Sequence, residues 1–244
     1  MRMEFHDDPA APGRRVWRAP GGPAIRSGVA VLILGAVTLM IAAIPLLAGS
    51  MTFPLALCLA LLVLFAAALT HYCWRDMRGK RGGVIVLDEN GINLELTAGR
   101  SLLHRPPACR EIVPYAEVAA VETRLEVYPS LGMAMMQRAY QLTRRRDAAI
   151  FLFEERSLAA QPSASFEALA AEIARRAGAP LQDLGIVVGG GGILGAWLVR
   201  VPDWSTPSMS ADQQAILVKR TRRTGALAAA AVGLVIVIVV IANL

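Results

Sequence analysis

Residues 27–70 read SGVAVLILGAVTLMIAAIPLLAGSMTFPLALCLALLVLFAAALT, and no charged side chain interrupts them. A hydrocarbon core about 30 Å thick is crossed by roughly 20 apolar helical residues, so this run is long enough for two crossings. The break is expected around Pro45–Met51, because proline lacks a backbone donor and Gly49-Ser50 is a poor helix interior. Helices are predicted over 27–47 and 52–72 within a hairpin spanning 27–74, with Tyr72 and Trp74 at the interface that aromatic rings prefer. A secretory apolar segment is only about 7–15 residues long and sits close behind the first methionine. Here a flexible, basic N-terminal arm, residues 1–26, comes first and the apolar run is far longer, so cleavage is not expected.

Working outward, a second uncharged run covers Thr224–Leu244, and 225–244 is predicted as a third span. The basic residues bracket these runs. Arg14, Arg15, Arg18 and Arg26 precede the first helix; Arg75, Arg78, Lys80 and Arg81 follow the second. Lys219, Arg220, Arg222 and Arg223 precede the third, while the turn inside the hairpin and the far C-terminus carry no charge. All three basic flanks then fall on one side, which the positive-inside rule makes cytoplasmic. The expected location is a bacterial cytoplasmic (inner) membrane, with the N-terminus and polar region inside and the C-terminus at the outer face. Arginine in place of lysine, of which there are two, fits a GC-rich bacterial source.

The net charge of +6 belongs to these flanks. Residues 82–180 contain eleven Arg and twelve Asp plus Glu, net −1, and the remainder carries +7. A nucleic-acid-binding domain is itself basic, so no nucleic-acid partner is expected. The 55% hydrophobic content exceeds the roughly 45–50% of soluble domains, as membrane segments require.

After Arg81 the pattern alternates. Val84, Val86, Ile92, Leu94 and Leu96 flank Asp88-Glu89-Asn90-Gly91, a hairpin signal. Strands are predicted over 110–113 and 118–128, the latter half-buried through Val121, Leu125 and Val127, and a second hairpin joins 138–143 to 148–154 across Arg144-Arg145-Arg146-Asp147. A helix follows, capped by Ser163 or Ser165, with Phe166, Leu169, Ala170, Ile173 and Ala177 along one stripe. Gly178 and Pro180 stop it. Strands followed by one helix make an antiparallel α+β domain over 82–180.

The order VIVLDENGINLEL, REIVPYAEVAAVE, AAIFLF and SFEALAAEIARRAG resembles bacterial pleckstrin-homology-like (PH-like) domains over about residues 83–178. The step Val113-Pro114-Tyr115-Ala116-Glu117-Val118 carries the likeness, with Tyr115 where Trp is common. The resemblance implies an antiparallel β-barrel or sandwich capped by one C-terminal helix, tethered to membrane helices, and acting as a binding or assembly module. Lipid-binding eukaryotic members surround the first hairpin with basic residues; here that turn is acidic, which disfavours phosphate there.

The rest of the chain is read as connection. Residues 181–210 form a Gly-rich, Trp-containing linker. Gly189–Gly192 lack the Lys and Ser/Thr that a phosphate loop needs, so they read as a hinge. Trp197 and Trp204, among apolar residues with Arg200 and Asp203, have two placements open: the headgroup layer, or packed back on the domain. Ser210 and Gln213 fit a capping box that starts a basic helix, 211–244, leading into the third span. Arg144, Arg145 and Arg146 mark either a solvated turn or a contact for the anionic leaflet or an acidic partner.

No catalytic chemistry emerges. His6, His71 and His104 are scattered, and HExxH, GxSxG and CxxC are absent. Cys58, Cys73 and Cys109 make no framework. Neither an enzyme, a cofactor nor a metal is expected, and the predicted spans contain no Asp, Glu, Lys or Arg, the usual mark of an ion pathway. The expectation is a membrane-anchored scaffold whose partners are membrane lipids and a protein or a second copy. The alternative is a transporter or channel accessory subunit working through its helices.

Overall fold

The computed structural model describes residues 6–7, 13–18, 21–48, 52–79, 83–101, 103–130, 133–156, 164–190 and 200–242. The chain divides into two compact units, Met1–Tyr115 and Ala116–Leu244. The boundary falls inside the predicted 82–180 domain because strand pairing forms two separate sheets, one in each unit.

The first unit holds β1 (His6–Asp7), β2 (Arg15–Arg18), α1 (Gly21–Ala48), α2 (Phe53–Gly79), β3 (Gly83–Leu87), β4 (Gly91–Leu96) and β5 (Cys109–Pro114). Its sheet runs β1-β2-β3-β4-β5, every neighbour antiparallel. The β3–β4 hairpin forms where Asp88-Glu89-Asn90-Gly91 predicted it. Asp88 Oδ1 accepts hydrogen bonds from Asn90 N at 2.8 Å and Gly91 N at 3.0 Å, the Asx turn that suits such a tip. Gly91 is required for a further reason: a Cβ there would lie 2.5 Å from the Val113 carbonyl oxygen of β5. Trp17, Ile85, Leu87, Ile92, Leu94 and Val113 are buried together, with Trp17 opposite Ile85 and Ile85 opposite Leu94. Residues 15–18, expected in a flexible arm, are thus a strand. Val16 and Trp17 pair with Val86 and Ile85, and burial of the indole contributes to holding that pairing.

The hairpin helices are present and longer than predicted. Residues Ser27, Gly28 and Gly35 of α1 meet Asp76, Met77 and Thr70 of α2, which makes the pair antiparallel. Both helices are long and apolar enough, by length and composition, to cross a membrane. Leu32, Leu39, Phe53 and Leu64 point outward, between 66% and 80% exposed. Exposing rather than burying such a side chain costs about 1.5–3 kcal/mol in water, so this surface suits hydrocarbon. α2 runs on past Tyr72 to Gly79 and so includes Asp76, which is buried and accepts the Ser27 hydroxyl at 2.7 Å. The hairpin therefore holds a buried carboxylate beyond residue 72, the predicted end of its second helix.

The second unit holds β6 (Val118–Ser130), β7 (Met133–Arg144), β8 (Ile150–Arg156), α3 (Ala164–Ala177), β9 (Leu181–Val188) and α4 (Ala211–Ala242). A short 3-10 turn, Tyr115–Glu117, leads into β6. The sheet order is β8-β7-β6-β9, with β9 parallel to β6. α3 follows the predicted stripe: Leu169, Ala170 and Ile173 are fully buried, and the Phe166 ring lies 4.8 Å from Phe153. Gly178 takes a left-handed φ of +59° and ends the helix as expected. Ser163, one of the two cap candidates, lies outside the described residues.

The sheet does not end with the helix, which corrects the reading of 181–210 as linker. Beyond Pro180, whose carbonyl accepts Val121 N at 2.9 Å, the chain continues as β9 along β6. The ladder hydrogen bonds that β6 offers on this edge hold the segment, although Leu181–Asp183 stay exposed. Between Thr123 and Leu125 of β6, β9 inserts an extra residue, and Gly185 supplies the left-handed φ of +79° that such a bulge takes. Past β9, Gly189 N donates to the Val127 carbonyl at 3.0 Å. A Cβ on Gly189 would sit 2.0 Å from the Tyr128 ring, so this glycine is a packing requirement and not a hinge. Gly191 and Gly192 lie outside the described residues. α4 begins with the predicted capping box: Ser210 N donates to Gln213 Oε1 at 2.9 Å, and Gln213 N to Ser210 Oγ at 3.3 Å.

Candidate functional site

The even-numbered residues of β6 (Glu122, Arg124, Glu126 and Tyr128) share one face by the period of two. The odd residues Val121, Leu125 and Val127 occupy the other, the face predicted to be buried. Both faces are covered. Arg124, Glu126 and Tyr128 are fully enclosed, as is Gln137 beside them on β7.

Each charge in this row is answered. Arg124 Nε and Nη2 donate to Glu126 Oε1 at 2.8 and 2.7 Å. The other oxygen, Glu126 Oε2, accepts from Tyr128 Oη at 2.7 Å and Gln137 Nε2 at 2.8 Å. Arg124 also reaches a segment nearly eighty residues away in sequence: Nη1 donates to the Asp203 carbonyl at 2.6 Å and Nη2 to the Pro202 carbonyl at 2.7 Å. The Trp204 ring caps the guanidinium, with 4.1 Å between the carbon and the ring centroid. A desolvated contact of this kind contributes about 2 kcal/mol. Burial pushes the Tyr128 phenol far up, and the adjacent Glu126 carboxylate adds to the shift.

The segment that covers Arg124 is held in shape locally. Thr206 N donates to the Asp203 carbonyl at 3.0 Å, closing a turn over Asp203–Thr206. The Asp203 side chain accepts from Ser205 N and Ser205 Oγ, both at 3.0 Å, and these bonds hold its carboxyl below the usual range. Pro-Asp followed by Ser-Thr is a turn signature that could have been read at 202–206.

Trp204 therefore packs back on the sheet, the second of its two open placements. Trp197 lies outside the described residues. Arg144 turns back, donating to the Ala148 carbonyl at 3.2 Å and standing 3.6 Å from Asp147, whereas Arg145 and Arg146 are exposed at the hairpin tip. Arg14 precedes β2, and Arg15 and Arg18 lie within it. Arg26 is in α1, and Arg75 and Arg78 are in the last turns of α2, where Arg78 lies 4.9 Å from the Trp74 ring centroid. Lys80 and Arg81 lie outside the described residues. Lys219, Arg220, Arg222 and Arg223 are exposed on α4. At 100° per residue they occupy one half of the helix circumference.

A second buried cation organises the β4–β5 loop of the first unit. Arg100 Nη1 donates to the carbonyls of Thr97 at 3.0 Å and Pro107 at 2.5 Å, and burial lowers its pKa to about 10. Among the described residues no three His, Cys, Asp or Glu side chains gather to hold a metal ion. The chain matches no protein-family model, no curated protein and no solved structure.

Proposed function

We propose that this chain is a membrane-anchored binding module at the cytoplasmic face of a bacterial inner membrane. The hairpin α1–α2 and α4, as a third span, hold it there, and a PH-like domain binds a protein partner or a second copy. The observation that carries the reading is the pair of long apolar helices with uncovered outer side chains, bracketed by basic residues. The PH-like assignment draws support from the chain order of strands and α3, and from the turn at Tyr115–Glu117 within the Val113–Val118 step. β9 is an addition to that pattern. No catalytic role is proposed. Lipid contact is assigned to the basic cluster of α4, where each basic residue near an anionic surface contributes about 1 kcal/mol.

The test is topology followed by contact. A reporter active only outside the cytoplasm should be active when fused after residue 50 or 244 and silent after residue 150. Activity at 150 reverses the orientation and ends the proposal. A photo-crosslinker at Arg146 in native membranes should then give one discrete adduct, with this chain or one other protein.

One observation favours the alternative of a transport accessory subunit: Asp76, buried between α1 and α2 on the Ser27 hydroxyl. An ionisable residue inside a helix bundle commonly marks an ion or proton path. Under the module reading Asp76→Asn leaves the crosslinked adduct unchanged and only loosens the hairpin. Loss of a proton or ion flux in the variant, with the hairpin intact, would move function to the helices.

A further inference from the structure

The segment Arg200–Ser210 leads from the glycines after β9 to α4, and it is held by hydrogen bonds along its length. Gly190 and Arg200 exchange both backbone hydrogen bonds, at 2.9 and 3.1 Å. Pro202 and Asp203 give their carbonyls to Arg124, and Trp204 covers it. Ser208 passes so close to the β9 bulge that a Cβ on Gly185 would lie 2.8 Å from its own Cβ. Met209 N donates to the Ile186 carbonyl at 2.7 Å, and the next residue, Ser210, caps α4. Gln214 on the first turns of α4 donates back to the Met209 carbonyl at 3.2 Å. No slack is left between the last bond to β9 and the first turn of the helix.

We propose that Arg200–Ser210 is a latched strap that makes the β6–β9 sheet and α4 one rigid lever, with Arg124 and Trp204 as the latch. A free linker of eleven residues would let a domain swivel on its anchor. This strap instead converts a tilt or rotation of α4 in the bilayer into a displacement of the sheet. The latch needs arginine. Its planar fork reaches the Glu126 carboxylate and two successive carbonyls together, which the single point charge of lysine does not match. It also needs the indole, which covers the guanidinium. The lever acts from the membrane only if α4 spans it, so this inference rests on the topology proposed above.

The experiment uses the full chain in lipid nanodiscs. Hydrogen exchange at the Met209 amide should be about 30-fold faster in Trp204→Ala, the factor equivalent to a lost desolvated cation–π contact. Amides of α3 should be unchanged. Spin labels at Gln182 on β9 and Ala215 on α4, with Cys58, Cys73 and Cys109 replaced by Ala, should report a single narrow distance in the parent and a broadened distribution in Trp204→Ala. Arg124→Lys retains a positive charge opposite Glu126, and it should broaden the distance if Trp204→Ala proves too unstable to purify. Unchanged exchange and unchanged distances in either variant overturn the latch. A broad distance in the parent overturns the rigid lever. The residue-244 reporter separates the two readings: silence there removes the membrane span, while the label distances still decide the latch.

Discussion

Replacing Arg124 by Met is expected to destabilise the second unit by about 3–5 kcal/mol, the cost of leaving one partner of a buried ion pair alone. The loss falls on several groups together. Glu126 keeps the hydrogen bonds from Tyr128 and Gln137 but loses both from the guanidinium, and its charge is then uncompensated where no surface is exposed. The carbonyls of Pro202 and Asp203 lose their donor, and Trp204 loses the cation beneath it. The double variant Arg124→Met/Glu126→Leu should lose less than the sum of the two single variants, because it carries no unpaired charge, although Tyr128 Oη and Gln137 Nε2 then lose their acceptor. Chemical unfolding of the detergent-solubilised full chain, followed by tyrosine and tryptophan fluorescence, would measure both. If the double variant is as unstable as the sum of the singles, the pair is not the coupled unit its geometry describes.

This row of charges also shows where sequence reading stops. Alternation along β6 separates Val121, Leu125 and Val127 from Glu122, Arg124 and Glu126, and so predicts two faces correctly. It cannot say that the polar face is covered too, because the cover comes from residues 202–204, far along the chain, whose own pattern reads as loop. Local signals served well where the structure is local. The uncharged run foretold α1 and α2, the Asp88–Gly91 turn foretold the β3–β4 hairpin, and the Phe166–Ala177 stripe foretold α3. The three strands that were missed, β1, β2 and β9, are short or distant from their partners. β2 is four residues, two of them arginine, and looks like a membrane flank until Val84–Leu87 is placed beside it. β9 pairs in parallel with residues about sixty positions earlier and begins with three exposed side chains, so no period of two announces it.

Placing an arginine at Leu39 is expected to lower insertion of the hairpin by about 3–4 kcal/mol, since leucine favours the centre of a span and arginine opposes it. Leu39 lies within the apolar stretch Ser27–Pro45 and is 73% exposed, so no neighbour in the chain accepts the charge. A reporter fused after residue 50 and active only outside the cytoplasm would read the effect, because α4 as a third span keeps the chain in the membrane fraction in either case. Leu39→Arg should silence a large fraction of that reporter's activity, and Leu39→Ile should not. The same measurement explains why Asp76 is tolerated. Its carboxylate lies three residues from the end of α2, is shielded by packing against α1 and accepts the Ser27 hydroxyl. Depth and a partner separate the two positions. Asp76→Leu should therefore leave the residue-50 reporter active while Leu39→Arg silences most of it. If the reporter stays fully active in Leu39→Arg, the outer face of α1 does not meet hydrocarbon, and the anchoring assigned to this hairpin has to come from elsewhere in the chain.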